Sequence, residues 1–135
     1  MTYLFDASSI LNLVKKGFLH VFSEGATIDL AFYEALNAVW KEHFLLKKID
    51  GESALALVDV LHGVFDVLDV YSIKGFEEEL FNLALSEKIT VYDASYIHVA
   101  MKKGFPLVTD DAKLREKAKK HVETLTSREV KKEAT

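Results

Sequence analysis

The chain has 135 residues, half of them hydrophobic and 28% charged, with a formal net charge of −4. This is one domain's worth of globular sequence, long enough to bury about two thirds of its unfolded surface and too apolar for a disordered chain. It has no cysteine, which excludes disulfides, thiolate metal centres and cysteine nucleophiles and fits a reducing cytoplasm.

Short β-like runs alternate with helical patterns along the chain, as in a parallel α/β sheet. Thr2 to Phe5 is an apolar run that ends at Asp6, and Ser8 or Ser9 is positioned to cap a helix from Ile10 to Lys16. Gly17 closes that helix. Thr27 or Asp29 opens a long helical segment to about Lys48, with Phe32, Leu36, Val39, Trp40 and Phe44 on one broad face. A second long helix is expected from Gly51 to Phe65, then a strand from Val67 to Tyr71. Phe76, Leu80, Leu83 and Ala84 mark the next helix. Asp93 begins another, which Gly104 stops, and Phe105 to Thr109 reads as a strand. Asp110 to Lys120 is a helix, Val122 to Leu125 a last strand, and the residues after Thr126 a frayed tail or an extra helix.

No apolar run approaches the roughly 18 residues of a membrane span, because Asp29, Glu34 and Asp59 interrupt the longest candidates. The first six residues carry no basic stretch ahead of an apolar one, so no secretion signal is expected. Charge is uneven: residues 1–101 hold 7 basic and 15 acidic side chains, residues 102–135 hold 10 and 6. Such a distribution is either a solvated helix face or a basic rim beside an acidic centre.

Asp6 and Asp111 each follow a strand, and Asp93 lies at the start of a helix. In an open parallel sheet, ligand-binding residues gather beyond the carboxyl ends of the strands, so acids far apart in sequence can meet. Singly, an Asp in the first turn of a helix caps free N–H groups, for about 1 kcal/mol. Glu34 differs, because it lies within an apolar helix and needs either solvent or a function there. Four carboxylates within about 5 Å would repel by roughly 3 kcal/mol per pair at an effective dielectric near 20. A cation at the centre or shared protons would then be required. Oxygen ligands without histidine or cysteine suit Mg²⁺ or Mn²⁺.

Phe5-Asp6-Ala7-Ser8-Ser9 resembles the opening motif of PIN-domain proteins, an acid at the end of the first strand followed by a hydroxyl residue. Glu34-Ala35-Leu36-Asn37 is similar to the second motif, Tyr92-Asp93-Ala94-Ser95-Tyr96 to the third, and Leu107-Val108-Thr109-Asp110-Asp111 to the fourth. Their order, with intervals of 28, 59 and 18 residues between acids, agrees with the VapC-like branch. The resemblance implies a three-layer α/β/α fold with a central, mainly parallel sheet of short strands. It also implies a single PIN-like domain over residues 1–126, with 127–135 a C-terminal tail. Asp6, Glu34, Asp93 and Asp111 would be catalytic and hold Mg²⁺ or Mn²⁺. Ser8, Asn37 and Thr109 would support the site, with Asp110 an extra or outer acid. The activity implied is metal-dependent endoribonuclease action, often by the toxin half of a toxin–antitoxin pair, so RNA, a small antitoxin and a second copy of the chain are the expected partners.

RNA would lie along Lys41, Lys113 and Arg115, beside the acids. His98, five residues beyond Asp93, falls about 140° round the helix and reads as packing or surface. Val58, Leu61, Phe65 and the stripe from Phe76 to Leu83 would form a dimer face or cover the sheet. An aspartyl-phosphate phosphatase would need a second acid two residues after Asp6, where Ser8 stands. The remaining alternative is a catalytically silent PIN-like module that docks a partner.

Overall fold

In the computed structural model, which describes residues 1–134, five short strands form one parallel sheet. β1 (Leu4–Phe5), β2 (Ala26–Ile28), β3 (Asp69–Tyr71), β4 (Leu107–Val108) and β5 (Thr124–Leu125) lie in the order β3-β2-β1-β4-β5. Leu4 is the hinge of this order, paired with Ala26 on one side and Leu107 on the other. The chain builds outward from β1 to β3, then returns to β4, so strand order reverses between β1 and β4. The crevice beyond the carboxyl ends of those two strands is where such sheets bind ligands.

Among the described residues seven α-helices cover the sheet: α1 (Ala7–Lys15), α2 (Leu30–Trp40), α3 (Gly51–Val67), α4 (Glu77–Glu87), α5 (Val91–Lys103), α6 (Ala112–Ala118) and α7 (Ser127–Ala134). α1 packs on α2, α3 and α7, while α4 pairs with α5, which lies against β2 and β4. The result is the three-layer α/β/α architecture. Leu4, Phe5, Leu107 and Val108 are wholly buried, as expected of central strands covered on both faces. No helix among the described residues is long and apolar enough to cross a membrane.

The segment from Thr27 departs most from expectation. Ala26, Thr27 and Ile28 form a buried strand between β1 and β3, and the helix opens only at Leu30. The Thr27 hydroxyl donates to the Phe5 carbonyl at 2.7 Å, which satisfies it inside the sheet. Gly25 makes this close approach feasible, since a Cβ there would stand 2.7 Å from the Phe5 ring and 2.9 Å from Leu68.

The expected single helix to Lys48 breaks at Lys41 into a π-helical turn, Lys41–Leu45. Its apolar residues divide between two faces. Val39 is buried and Phe32 packs on Phe65 at 4.2 Å, but Leu36, Trp40 and Phe44 are exposed, the last two stacked at 5.3 Å. Leu61 and Leu80, expected to form a dimer face or cover the sheet, are buried and belong to the core. Residues 127–134 of the expected tail form α7, anchored by buried Ser127 and Val130; Thr135 lies outside the described residues.

Candidate active site

Asp6 emerges from β1 at the reversal point and is only 4% exposed. It is itself the N-cap of α1, a role expected of Ser8 or Ser9. The carboxylate accepts from Ser9 N–H at 2.9 Å, from the Ser8 hydroxyl at 2.8 and 3.0 Å, and from the Thr109 hydroxyl at 2.5 Å. No basic side chain pairs with it among the described residues. Burial therefore pushes its pKa up to about 6, even though the Thr109, Ser9 and Ser8 bonds all pull it down. Burial outweighs those bonds, and a positive charge beside the carboxylate would bring the pKa down again.

The other three acids face Asp6 across one cleft of 590 Å³, whose walls include Glu34, Asp93 and Asp111. Asp111 caps α6, its Oδ1 accepting from Lys113 N–H at 2.9 Å and Leu114 N–H at 3.2 Å. Asp93 sits in the first turn of α5, but Thr90 performs the capping, accepting Asp93's own N–H at 3.1 Å. The Asp93 carboxylate has no hydrogen-bond donor among the described residues. Glu34, on α2, receives the Tyr96 hydroxyl at 2.6 Å.

Mutual repulsion acts on these groups. Burial raises the pKa of Glu34, and the charges of Asp93 and Asp111 raise it further against the Tyr96 bond. Burial also raises Asp93, with Asp111 adding to it and Lys113 opposing. Glu34, Asp93 and Asp111 thus share an electrostatic field as well as a cavity, while Asp6 is raised by its burial.

Of the supporting residues, Ser8 and Thr109 brace Asp6 and also accept from Asp110 N–H and Asp111 N–H, at 3.0 and 3.1 Å. They knit the ends of β1 and β4 together. Asn37 and Lys41 line the cleft. Asp110 does not. Its two oxygens accept from Asn12 at 2.7 Å and Ser127 N–H at 2.8 Å, tying α1 to α7. Burial alone would raise its pKa, but the Ser127 and Asn12 bonds and the Arg115 charge bring it below the usual value. The choice between adjacent acids therefore falls on Asp111 as the one facing the cleft.

Arg115 is turned inward, donating to the Thr109 carbonyl at 3.2 Å, rather than lining the cleft. Lys113 lines a neighbouring groove that shares Asp93. His98 is buried against Glu79 at 2.9 Å, away from the acids. Tyr96 is the functional neighbour that sequence reasoning missed. It is 2% exposed and closes the third motif, three residues after Asp93, with no role expected of it there.

The donor set suits a hard divalent cation: four carboxylates, hydroxyls behind them, and no histidine or cysteine on the walls. Among the described residues no three acidic or histidine side chains are grouped closely enough to hold an ion as they stand. A cation in the cleft would relieve the repulsion among Glu34, Asp93 and Asp111 and lower the raised Asp6 pKa.

The profile of the PIN domain family matches residues 3–120. The chain belongs to the PIN domain family. Its relatives are VapC-like. It is 38% identical over 91 residues, 67% of this chain and 69% of the other, to Ribonuclease VapC3 of Pyrobaculum aerophilum. It is 36% identical over 127 residues, 92% and 91% of the two chains, to Exonuclease VapC9 of the same organism. The crystal structure of PAE2754 from Pyrobaculum aerophilum is similar over all of this chain and 91% of that one, with a TM-score of 0.78 and 30% identity.

Proposed function

We propose that this PIN-family chain is a divalent-metal-dependent endoribonuclease, with Asp6, Glu34, Asp93 and Asp111 as its catalytic, metal-holding residues. The observation that carries this reading is the convergence of Asp6, Glu34, Asp93 and Asp111 on one cleft, with Asp6 buried and held by three hydroxyl and amide donors. The names of the two VapC relatives, a ribonuclease and an exonuclease, support phosphodiester cleavage as the activity.

A bound Mg²⁺ or Mn²⁺ would supply a water of lowered pKa and neutralise the scissile phosphate. The chain's own groups do the rest. Asp6, locked by Ser8, Ser9 and Thr109, gives the ion a fixed anchor. Asp93, whose carboxylate has no donor of its own, is free to take the proton of the attacking water, and Asp111 is the other candidate. Tyr96 holds Glu34 toward the cleft, and Lys41 offers the substrate phosphate a positive charge on the cleft wall. Attack by water leaves a 5′-phosphate and a 3′-hydroxyl.

In this reading the chain is the toxin of a toxin–antitoxin pair, acts as a homodimer in the cytoplasm, and is held in check by a small antitoxin. The exposed run of Tyr33, Leu36, Trp40 and Phe44 gives apolar surface for such partners. A monomeric mass in light scattering at high micromolar concentration would exclude the dimer.

The experiment is cleavage of linear and circular RNAs by the purified chain with Mg²⁺, with Mn²⁺ and with EDTA, beside Asp6→Asn. Metal-dependent cutting of the circle that disappears in the variant is the expected result. Cutting of the linear form alone makes the chain an exonuclease. No cutting with either ion, or equal cutting by the variant, favours a catalytically silent docking module.

A further inference from the structure

Asp93 is the wall between two cavities. On one side is the acidic cleft; on the other a groove of 760 Å³ runs between the turn joining α4 to α5 and the side of α6. Their charge is opposite. The cleft holds one lysine, Lys41, amid its acids, whereas the groove carries Lys88, Lys113 and Lys117. The groove's remaining acid besides Asp93 is Glu116, and its carboxylate is already paired with Lys119 at 2.9 Å.

Among the described residues none of the three groove lysines lies within ion-pair distance of a carboxylate, although Lys113 acts on Asp93 and Lys117 on Glu116 from further away. Lys88 also ends α4 in the left-handed backbone region, at φ 58, where glycine is the usual residue. A side chain at this position carries a steric cost that glycine would avoid. Ile89 adds an apolar patch to the same groove, as a sugar or base face requires.

We propose that this groove binds the phosphodiester backbone of an RNA strand flanking the bond to be cut, so that the substrate passes over Asp93 from the acidic cleft into the basic groove. The proposal rests on the nuclease reading of the cleft and adds where one arm of the substrate lies. Attraction by Lys88, Lys113 and Lys117 offsets the repulsion that the cleft's acids exert on the same strand.

The test is binding, so that it is independent of turnover. Fluorescence anisotropy would follow a labelled trinucleotide and a twelve-nucleotide single strand on Asp6→Asn protein, with Mg²⁺, between about 50 and 300 mM salt. The longer strand should bind more tightly. Adding Lys88→Gly and Lys117→Ser should weaken its binding at least about fivefold and flatten the salt dependence by about 1.4 in log–log slope, roughly 0.7 for each phosphate no longer neutralised. The trinucleotide should bind as before. Glycine suits the backbone at position 88, so a melting temperature at or above that of the Asp6→Asn protein accompanies the expected result. Equal weakening of both lengths, no weakening of either, or no measurable binding of the longer strand overturns the proposal. Failure of the nuclease reading would instead appear as absent cleavage by the parent while length-dependent binding persists.

Discussion

Replacing Asp6 with Asn should stabilise the metal-free protein at alkaline pH while abolishing cleavage. The Asp6 pKa is raised from 3.8 to about 6 in the folded chain. Between those values the folded state holds more proton than the unfolded one. Stability present at low pH is therefore lost as pH rises through the window, and the loss is complete a little above 6. A rise of that size corresponds to about 3 kcal/mol. Asn never ionises and avoids this cost, but its amide nitrogen replaces one acceptor for Thr109 or Ser8 and forfeits about 1 kcal/mol. The balance is about 2 kcal/mol in favour of the variant at pH 8, or about 6 °C in a protein of this size. Thermal melts in EDTA at pH 4, 6 and 8 measure it. The gain should shrink to nothing or reverse at pH 4, and Mg²⁺ or Mn²⁺ should raise the parent's melting temperature without moving the variant's. An Asp6→Asn protein less stable than the parent at pH 8 in EDTA would refute the reasoning, because Asp6 would then be compensated by the protein alone.

Tyr96→Phe removes the donor to Glu34 without opening a cavity, since the ring is retained in a buried site. That bond opposes the burial that raises Glu34, so its loss should move the acid limb of the pH–rate profile to higher pH and cut the rate near pH 6 about tenfold; an unmoved limb would remove Tyr96 from the mechanism. The adjacent acids should separate cleanly. Asp111→Asn should lose activity at least about a hundredfold with little change in stability, whereas Asp110→Asn should keep most activity but unfold about 2 kcal/mol more easily in urea, having lost its charge-assisted bonds to Asn12 and Ser127. The opposite pattern would exchange their roles. Gly25→Ala drives a methyl into the Phe5 ring and Leu68 and should cost about 1–3 kcal/mol by urea titration. Parental stability would show that the β1–β2 junction is less tightly packed than its geometry demands.

Much of the fold is legible because most strands end at an acid or begin after a glycine or proline. β1 and β4 are readable from apolar runs that stop at Asp6 and before Asp110. β2 is not, since Ala-Thr-Ile is too short to show a period of two and its threonine doubles as a plausible helix cap. The π-helical turn after Trp40 leaves no mark in the pattern, because it changes register without changing composition. At the site, the four acids carry their family motifs, but periodicity says nothing about convergence, which depends on β4 returning to β1 across a hundred residues. Arg115 and Asp110 stand beside cleft residues in the sequence, but a side chain's direction is not written there: both brace the fold, Arg115 on the Thr109 carbonyl and Asp110 between Asn12 and Ser127.

The hydrogen bond that completes the Asp6 environment joins residues 103 positions apart in the chain. During synthesis, β1 and its carboxylate therefore leave the ribosome long before Thr109 and β4 exist to enclose them. Until then Asp6 has only Ser8 and Ser9 as donors and no reason to be dehydrated, so the cleft remains an open, hydrated strand end. Pairing over such a distance is slow and comes late in folding. A chain with this topology assembles its acidic centre only when nearly all of it has been made. Any catalytic power the cleft confers is thereby withheld from incomplete copies, a delay written into strand order alone.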